Sequence, residues 1–389
     1  MSWPKPGDPA VNGPPIRPGD AGSGRLETSR PSGMPEGAPD RFRHLRRLTD
    51  DTGLIEHAVG CIPRRKEGYS TDDQSRALWI CLEWLDLAET ERERALLLEL
   101  ADTYLSFLLW VQREDGLFHN NIDYARRPEP ETPSDDCFGR ALWAAAFAWT
   151  RFGGDPARRI AAETILREAL PRVPDVKAPR GVAYALAAMS LLARRGWPNP
   201  PTSRIHECLD RLKALYRAHA RPDWRWFEPA LTYSNGILPW GLLWAHEATG
   251  DREALAVALE SLAFLAGIMT GRGGVIRPVG NDGWCSPARR SDFDQQPVDV
   301  LKLAMACGKA AELTDDERWR DVLARCRDWF HGRNDHGLPL YDAGTGGCRD
   351  GLEKDGVNLN QGAESTLSYL GTEMVYRKLS MRRALTPRF

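Results

Sequence analysis

Two pairs of adjacent aspartates stand directly ahead of apolar, helix-patterned segments. They are Asp72–Asp73 in "GYSTDDQSRALW" (68–79) and Asp135–Asp136 in "PSDDCFGRALWAAA" (133–146), with Asp136 following Asp73 by 63 residues. A helix start presents unpaired N–H groups and the positive end of the helix dipole, so one carboxylate there serves as a cap. The second carboxylate has no such duty. If several helix starts of this kind meet around one cavity, their carboxylates repel and some carboxyl groups hold their protons to higher pH. A protonated acid near an ionised carboxylate is the equipment of general acid–base catalysis. Asp73 and Asp136 lead the candidates, joined by Glu228, Asp282 and Asp294 from later polar clusters.

Arg76 and Arg140 each lie one turn inside their segments, followed by Ala-Leu. Such a guanidinium faces either the neighbouring aspartate or a bound hydroxyl. "DWRWFEPALTYSNGILPW" (223–240) concentrates Trp226, Tyr233 and Asn235 around Glu228, and "GNDGWCSPARRSDFDQQP" (280–297) sets Trp284 beside Asp282 and Asp294. "DGVNLNQGAEST" (355–366) brings Gln361 and Glu364, and Tyr69 precedes the first aspartate pair. Aromatic rings interleaved with carboxylates and amides suit a polyhydroxylated ligand: rings cover sugar faces while polar groups take hydroxyls. The expected partner is therefore an oligosaccharide or polysaccharide. No GxGxxG, Walker or GxSxG motif occurs, and metal-ligand spacing is absent, so no cofactor and no metal are expected. His57 and His119 occupy matching places after glycine turns; facing histidines would instead suit a sugar epimerase or isomerase.

These residues need a frame that gathers helix starts at one place. Amphipathic segments such as 91–112, 157–170, 204–220, 252–269 and 316–330 alternate with segments apolar on most faces, such as 74–88, 138–152, 181–195, 237–249, 296–313 and 363–379. One-sided helices lie outside a structure and all-round apolar ones inside. With "RFRHLRRL" (41–48) the count is six outer and six inner helices. A polar cluster opens each inner helix except the third, where "KAPRGVAYA" (177–185) lacks carboxylates. A repeat of this kind, about 45–65 residues long, predicts an all-α (α/α)6 toroid of six helical hairpins. It spans residues 41–380, after a Pro/Gly-rich disordered tail (1–40) and before a short C-terminal tail (381–389).

The chain of 389 residues, 42% hydrophobic, is long enough for such a core. A net charge of -2 gives no reason to expect nucleic acid or a membrane surface as partner. Eight cysteines without a CxxC pair suit a reducing compartment, and a cytoplasmic location is expected.

The segments "GYSTDDQSRAL", "FDQQPVD", "PLYDAGTGGCRDGL" and "NQGAESTLSYL" resemble a bacterial family of six-hairpin glycosidase-like (α/α)6 proteins, over roughly residues 41–380. Its members are often described as glycosyltransferase-associated. The resemblance implies carboxylates at the mouth of the toroid, and an adjacent Asp-Asp pair as in a related α-mannanase family. It also implies functional association with a glycosyltransferase. Two such pairs occur here, and the resemblance does not choose between them. The expected activity is glycoside hydrolysis of manno- or gluco-oligosaccharides. The alternatives are sugar epimerisation and non-catalytic glycan binding as a glycosyltransferase partner.

Overall fold

A computed structural model of the protein describes residues 40–130 and 132–385. The expected tail lies outside the described residues apart from Asp40. Among the described residues twelve α-helices alternate between two layers. The outer helices are α1 (Arg43–Leu48), α3 (Glu91–Val111), α5 (Pro156–Ala169), α7 (Thr202–His219), α9 (Arg252–Ile268) and α11 (Glu317–Phe330). The inner helices are α2 (Thr71–Trp84), α4 (Asp135–Arg151), α6 (Pro179–Arg194), α8 (Ile237–Thr249), α10 (Pro297–Thr314) and α12 (Ala363–Leu385). Each inner helix packs on the next in chain order, and α12 packs back on α2, so the ring is closed. The chain is thus an (α/α)6 toroid.

Burial follows the sequence pattern. Outer α11 buries Trp319, Val322, Leu323, Cys326, Trp329 and Phe330, a single stripe, whereas inner α10 buries every residue from Pro297 to Ala311. Inner helices approach closely where side chains vanish: a Cβ on Gly139 would lie 2.8 Å from the Gly181 carbonyl oxygen. Helix α12 continues to Leu385, so residues 381–385 are helical and not a tail. Nothing in "MRRAL" breaks a helix, and Arg382 and Arg383 pair with Glu312 and Glu317.

The inner helices run parallel. Their first turns meet one another at one end, through bonds such as Arg140 to Asp72 and Arg76 to Glu364. Their C-terminal ends, with the residues just beyond, meet at the other, through Arg151 to Asp86 and Lys309 to Glu247. The loops leading into the first turns are stitched together around the mouth. Ser70 pairs with Asn121, Leu231 with Cys285, and Gln295 with Leu352, while Gln361 N–H donates to the Gly60 carbonyl at 2.9 Å. Among the described residues no helix is long and apolar enough to cross a membrane.

Candidate active site

Side-chain caps are commoner in the outer layer, although outer α1 and α7 lack one and inner α4 has one. Outer α3, α5, α9 and α11 have side-chain caps from Thr90, Asp155, Asp251 and Asp316. Inner α2, α6, α8 and α10 have none. Asp72 and Asp73 lie in the first turn of α2, after the N-cap Ser70, and bond to arginines rather than to helix N–H groups. In α4 the N-cap Ser134 accepts from Cys137 N–H, and Asp135 accepts from Lys177 and Ala178 N–H at 2.6 and 2.7 Å. Asp135 therefore anchors the loop into α6. Counting from the two N-cap serines, Asp136 matches Asp72, and Arg140 matches Arg76. Asp73 has no acidic counterpart in α4; Cys137 stands there.

Two linked ion networks occupy the mouth. In one, Arg76 Nη1 donates to Asp73 Oδ1 at 2.6 Å and its Nη2 reaches Glu364 at 2.9 Å. In the other, Arg140 Nη1 donates to Asp72 Oδ2 at 2.5 Å, with its Nη2 4.0 Å from Asp136 Oδ2. Asp136 Oδ2 also accepts from Tyr233 Oη at 2.5 Å, while Oδ1 of Asp136 and Oδ1 of Asp72 are buried without a partner. Arg180, from α6, donates to the Tyr233 carbonyl at 2.6 Å and pairs with Glu228 at 3.1 Å. It also lies 4.6 Å from the centre of the Tyr233 ring. Asp299, from α10, accepts from Ser234 N–H at 2.6 Å and leaves Oδ2 unpaired.

One level deeper, the sixth residue after each N-cap forms a second tier. It contains Arg76, Arg140, Tyr184 and Lys302. The Tyr184 ring lies 5.5 Å from the Arg140 guanidinium and 5.8 Å from the Lys302 amine.

The carboxyl groups divide by environment. Burial opposes ionisation of Asp72, but the Arg140 and Arg76 guanidiniums outweigh it and hold its carboxyl below the usual range. Burial pushes Asp73 up to about 6, with Glu364 and Asp72 adding to the rise against Arg76. Burial likewise takes Asp299 to about 7. Glu56, at the lip, is pushed to about 7 by burial and by Asp73, Glu364 and Asp72, while His57, 3.6 Å away, opposes the rise. Burial and the Arg76 and Arg140 charges push the Lys302 ammonium well below the usual range.

The sequence candidates fall in four places. Asp73, Arg76, Asp136, Arg140 and Glu364 meet in the networks above, with Glu228 attached through Arg180. Tyr233 and Trp284 form the rim, their rings 6.4 Å apart and both partly open to solvent. Asn235 holds that loop's shape through Thr232 and Arg180. Asp294 and exposed Asp282 lie on the loop before α10, where burial and then Asp282 raise the Asp294 carboxyl. Nothing bonds these two to Asp73 or Asp136.

Three expected ligand contacts are corrected. Trp226 is 0% exposed and packs on Phe227 and Phe264, so no ring face is open to a sugar. Tyr69 is buried with its hydroxyl donated to Asp50, and Gln361 bonds Thr345 and Asp342. Sequence reading missed Asp299, Lys302, Tyr184, Arg180 and Glu56. The N-cap register is the signal that reaches the first two: Asp299 and Lys302 stand three and six residues after Gln296, as Asp73 and Arg76 do after Ser70. His119 sends its carbonyl to Thr71 Oγ1 at 2.6 Å.

Chemically, this mouth offers carboxyl groups raised toward neutral pH, Asp73 among them, a carboxylate with an unsatisfied oxygen in Asp136, fixed guanidiniums between them and two aromatic rings above. Among the described residues no group of three or more His, Cys, Asp or Glu side chains is arranged to hold a metal ion.

No family model and no curated protein sequence matches the chain. Solved structures do match over nearly its whole length. It is similar to the cellobiose 2-epimerase from Bacillus thermoamylovorans, with TM-score 0.67 and 12% identity over 87% of this chain and 95% of that one. A D-mannose isomerase matches at TM-score 0.63 and 12% identity, covering 88% and 96%. A GH76 α-mannanase of Bacteroides thetaiotaomicron matches at 0.61 and 12%, covering 89% and 96%. At such identities the likeness shows the fold: the chain is an (α/α)6 toroid of the kind that epimerases, isomerases and glycoside hydrolases share.

Proposed function

We propose that this protein is a glycoside hydrolase acting on manno- or gluco-oligosaccharides, with Asp73 as general acid and Asp136 as the second carboxylate. The observation that carries the reading is the unequal treatment of carboxyl groups at one mouth. Asp73 keeps its proton to about pH 6, while Asp136 has one oxygen on Tyr233 and the other unpaired. In the reaction, Asp73 gives its proton to the glycosidic oxygen as the bond from that oxygen to the anomeric carbon breaks. Asp136 either removes a proton from the attacking water or attacks the anomeric carbon itself, and water then releases the sugar. Tyr233 fixes the Asp136 carboxylate, and Trp284 covers one sugar face. Incubation with a panel of manno- and gluco-oligosaccharides, followed by product mass analysis, tests the reading. Shortened products from the wild type and none from Asp73→Asn support it; no shortened product from any substrate overturns it.

A second reading rests on the lip. His57 Nε2 stands 3.6 Å from Glu56, whose carboxyl is raised in part by Asp73 and Glu364. A base of this kind, with a carboxyl beside it, suits proton removal next to the carbonyl of an opened sugar, hence epimerisation or isomerisation. Deuterium entering mannose or glucose from D2O, with chain length unchanged and the exchange lost in His57→Ala, would favour it over hydrolysis. Association with a glycosyltransferase, catalytic or through glycan binding alone, is supported by the family resemblance and by no contact described above.

A further inference from the structure

A cavity lies at the opposite end of the barrel from the carboxylate mouth. It measures about 360 Å³, within the ~300–1,000 Å³ range of small-molecule sites. Its walls are Trp79 and Trp143, each nine residues after its N-cap serine, with Trp240 and Trp244 from α8. The tier of Arg76, Arg140, Tyr184 and Lys302 separates it from the carboxylate mouth. The rings form a box: Trp143 is 4.7 Å from Trp240, 5.3 Å from Trp244 and 6.5 Å from Trp79.

Two features describe what such a box accepts. The indole N–H groups of Trp79, Trp143 and Trp244 are buried without an acceptor. With those N–H groups withdrawn, the rings present apolar faces to the cavity, which suit the C–H face of a sugar ring. The rim, in turn, is a ring of ion pairs. Lys309 lies 2.7 Å from Glu247 and 3.8 Å over Trp244, Lys378 pairs with Glu83 and Asp86, and Arg151 lies 2.6 Å from Asp86. Five cations against three carboxylates line the cavity, which disfavours a cationic guest. An anion would compete with carboxylates already bonded to those cations. Neutral hydroxyls can donate to the carboxylates and accept from the ammonium groups without breaking either pair.

We propose that the far end of the toroid is a second binding site, for a neutral mono- or disaccharide, built from the tryptophan box and its ion-pair rim. It stands independently of the reaction assigned to the carboxylate mouth.

Titration calorimetry of the whole chain with D-mannose and with mannobiose tests it. Saturable binding is expected, retained in Asp136→Asn and weakened at least tenfold in Thr150→Trp. Thr150 is a half-buried rim residue whose enlargement fills the cavity without removing a core side chain. Should that variant not fold, hydrogen exchange on the wild type decides. Added sugar should slow exchange in the last turns of α4 and α10 and not only in their first turns. The proposal is overturned by no saturable binding up to about 50 mM sugar, beyond which affinity is negligible. It is equally overturned by protection confined to the first turns, by binding lost in Asp136→Asn but kept in Thr150→Trp, or by binding of mannose 6-phosphate in place of neutral sugars.

Discussion

Asp72 and Arg140, 68 residues apart in sequence, share a 2.5 Å hydrogen bond that joins the first two inner helices, both side chains almost wholly withdrawn from water. Asp72 already has one oxygen without a partner. Removing the guanidinium would leave a buried carboxylate without its hydrogen-bond donor, facing only the more distant Arg76 charge. Arg140→Met is therefore expected to cost about 3–5 kcal/mol in urea unfolding, the range for breaking one side of a buried ion pair. A loss below about 1 kcal/mol would mean that water or protonation already relieves Asp72.

Asp73→Asn is expected to lower turnover at least ~100-fold while leaving the melting temperature equal or higher. The proton held to about pH 6 is the reason on both counts. A general acid must be protonated, so wild-type kcat should decline as pH rises through about 6. Residual activity in the variant should lack that alkaline limb. An unchanged limb in the variant would assign it to another group.

Stability should also follow pH in an uncommon direction. Asp73, Asp299 and Glu56 have folded-state pKa values of about 6, 7 and 7, raised from ordinary values of 3.8, 3.8 and 4.5. Between those limits the folded chain binds more protons than the unfolded one, so stability falls as pH rises from about 4 to about 7. Melting temperature should be higher at pH 5 than at pH 8. Asp299→Asn should raise stability at pH 8 by at least about 1 kcal/mol, one pKa unit being worth 1.36 kcal/mol, and flatten the profile. A flat profile in the wild type would argue that Asp299 is ionised throughout.

The two loop tryptophans should separate cleanly. Trp226→Ala is expected to cost about 3–5 kcal/mol, as for a large core side chain, with KM unchanged in whatever folds. Trp284→Ala, at the open rim, should leave stability within about 0.5 kcal/mol and raise KM for oligosaccharides. Equal effects on KM would place the ligand elsewhere.

The fold was legible because periodicity records burial: α11 shows one apolar stripe and α10 is apolar all round, and the layers follow. The site was only partly so. Aligning the two aspartate pairs suggested that Asp73 and Asp136 were equivalent, yet the following Arg-Ala-Leu-Trp segments, 76–79 and 140–143, are 64 residues apart and not 63. The helices keep the latter register, which makes Asp72 the counterpart of Asp136. Lys302 escaped notice because a lysine within "VDVLKLAMA" reads as a surface break in an apolar run. Only the closed ring turns that face inward. Trp226 failed for the opposite reason, since an aromatic in an irregular segment carries no periodicity to say which way it points.

Closure of the ring also bears on how the chain reaches this state. The Trp84 indole donates to the Leu370 carbonyl at 3.1 Å, across 286 residues. Until α12 emerges from synthesis, the earlier hairpins can stack only as an open arc, with the apolar flanks of α2 and α10 bare. Contacts of such long sequence separation are made late and slowly, and bare flanks of that kind associate with one another. A chain ending at residue 362 should therefore form soluble aggregates on gel filtration and not a smaller ring. The last helix would then be what commits the molecule to the closed, folded form.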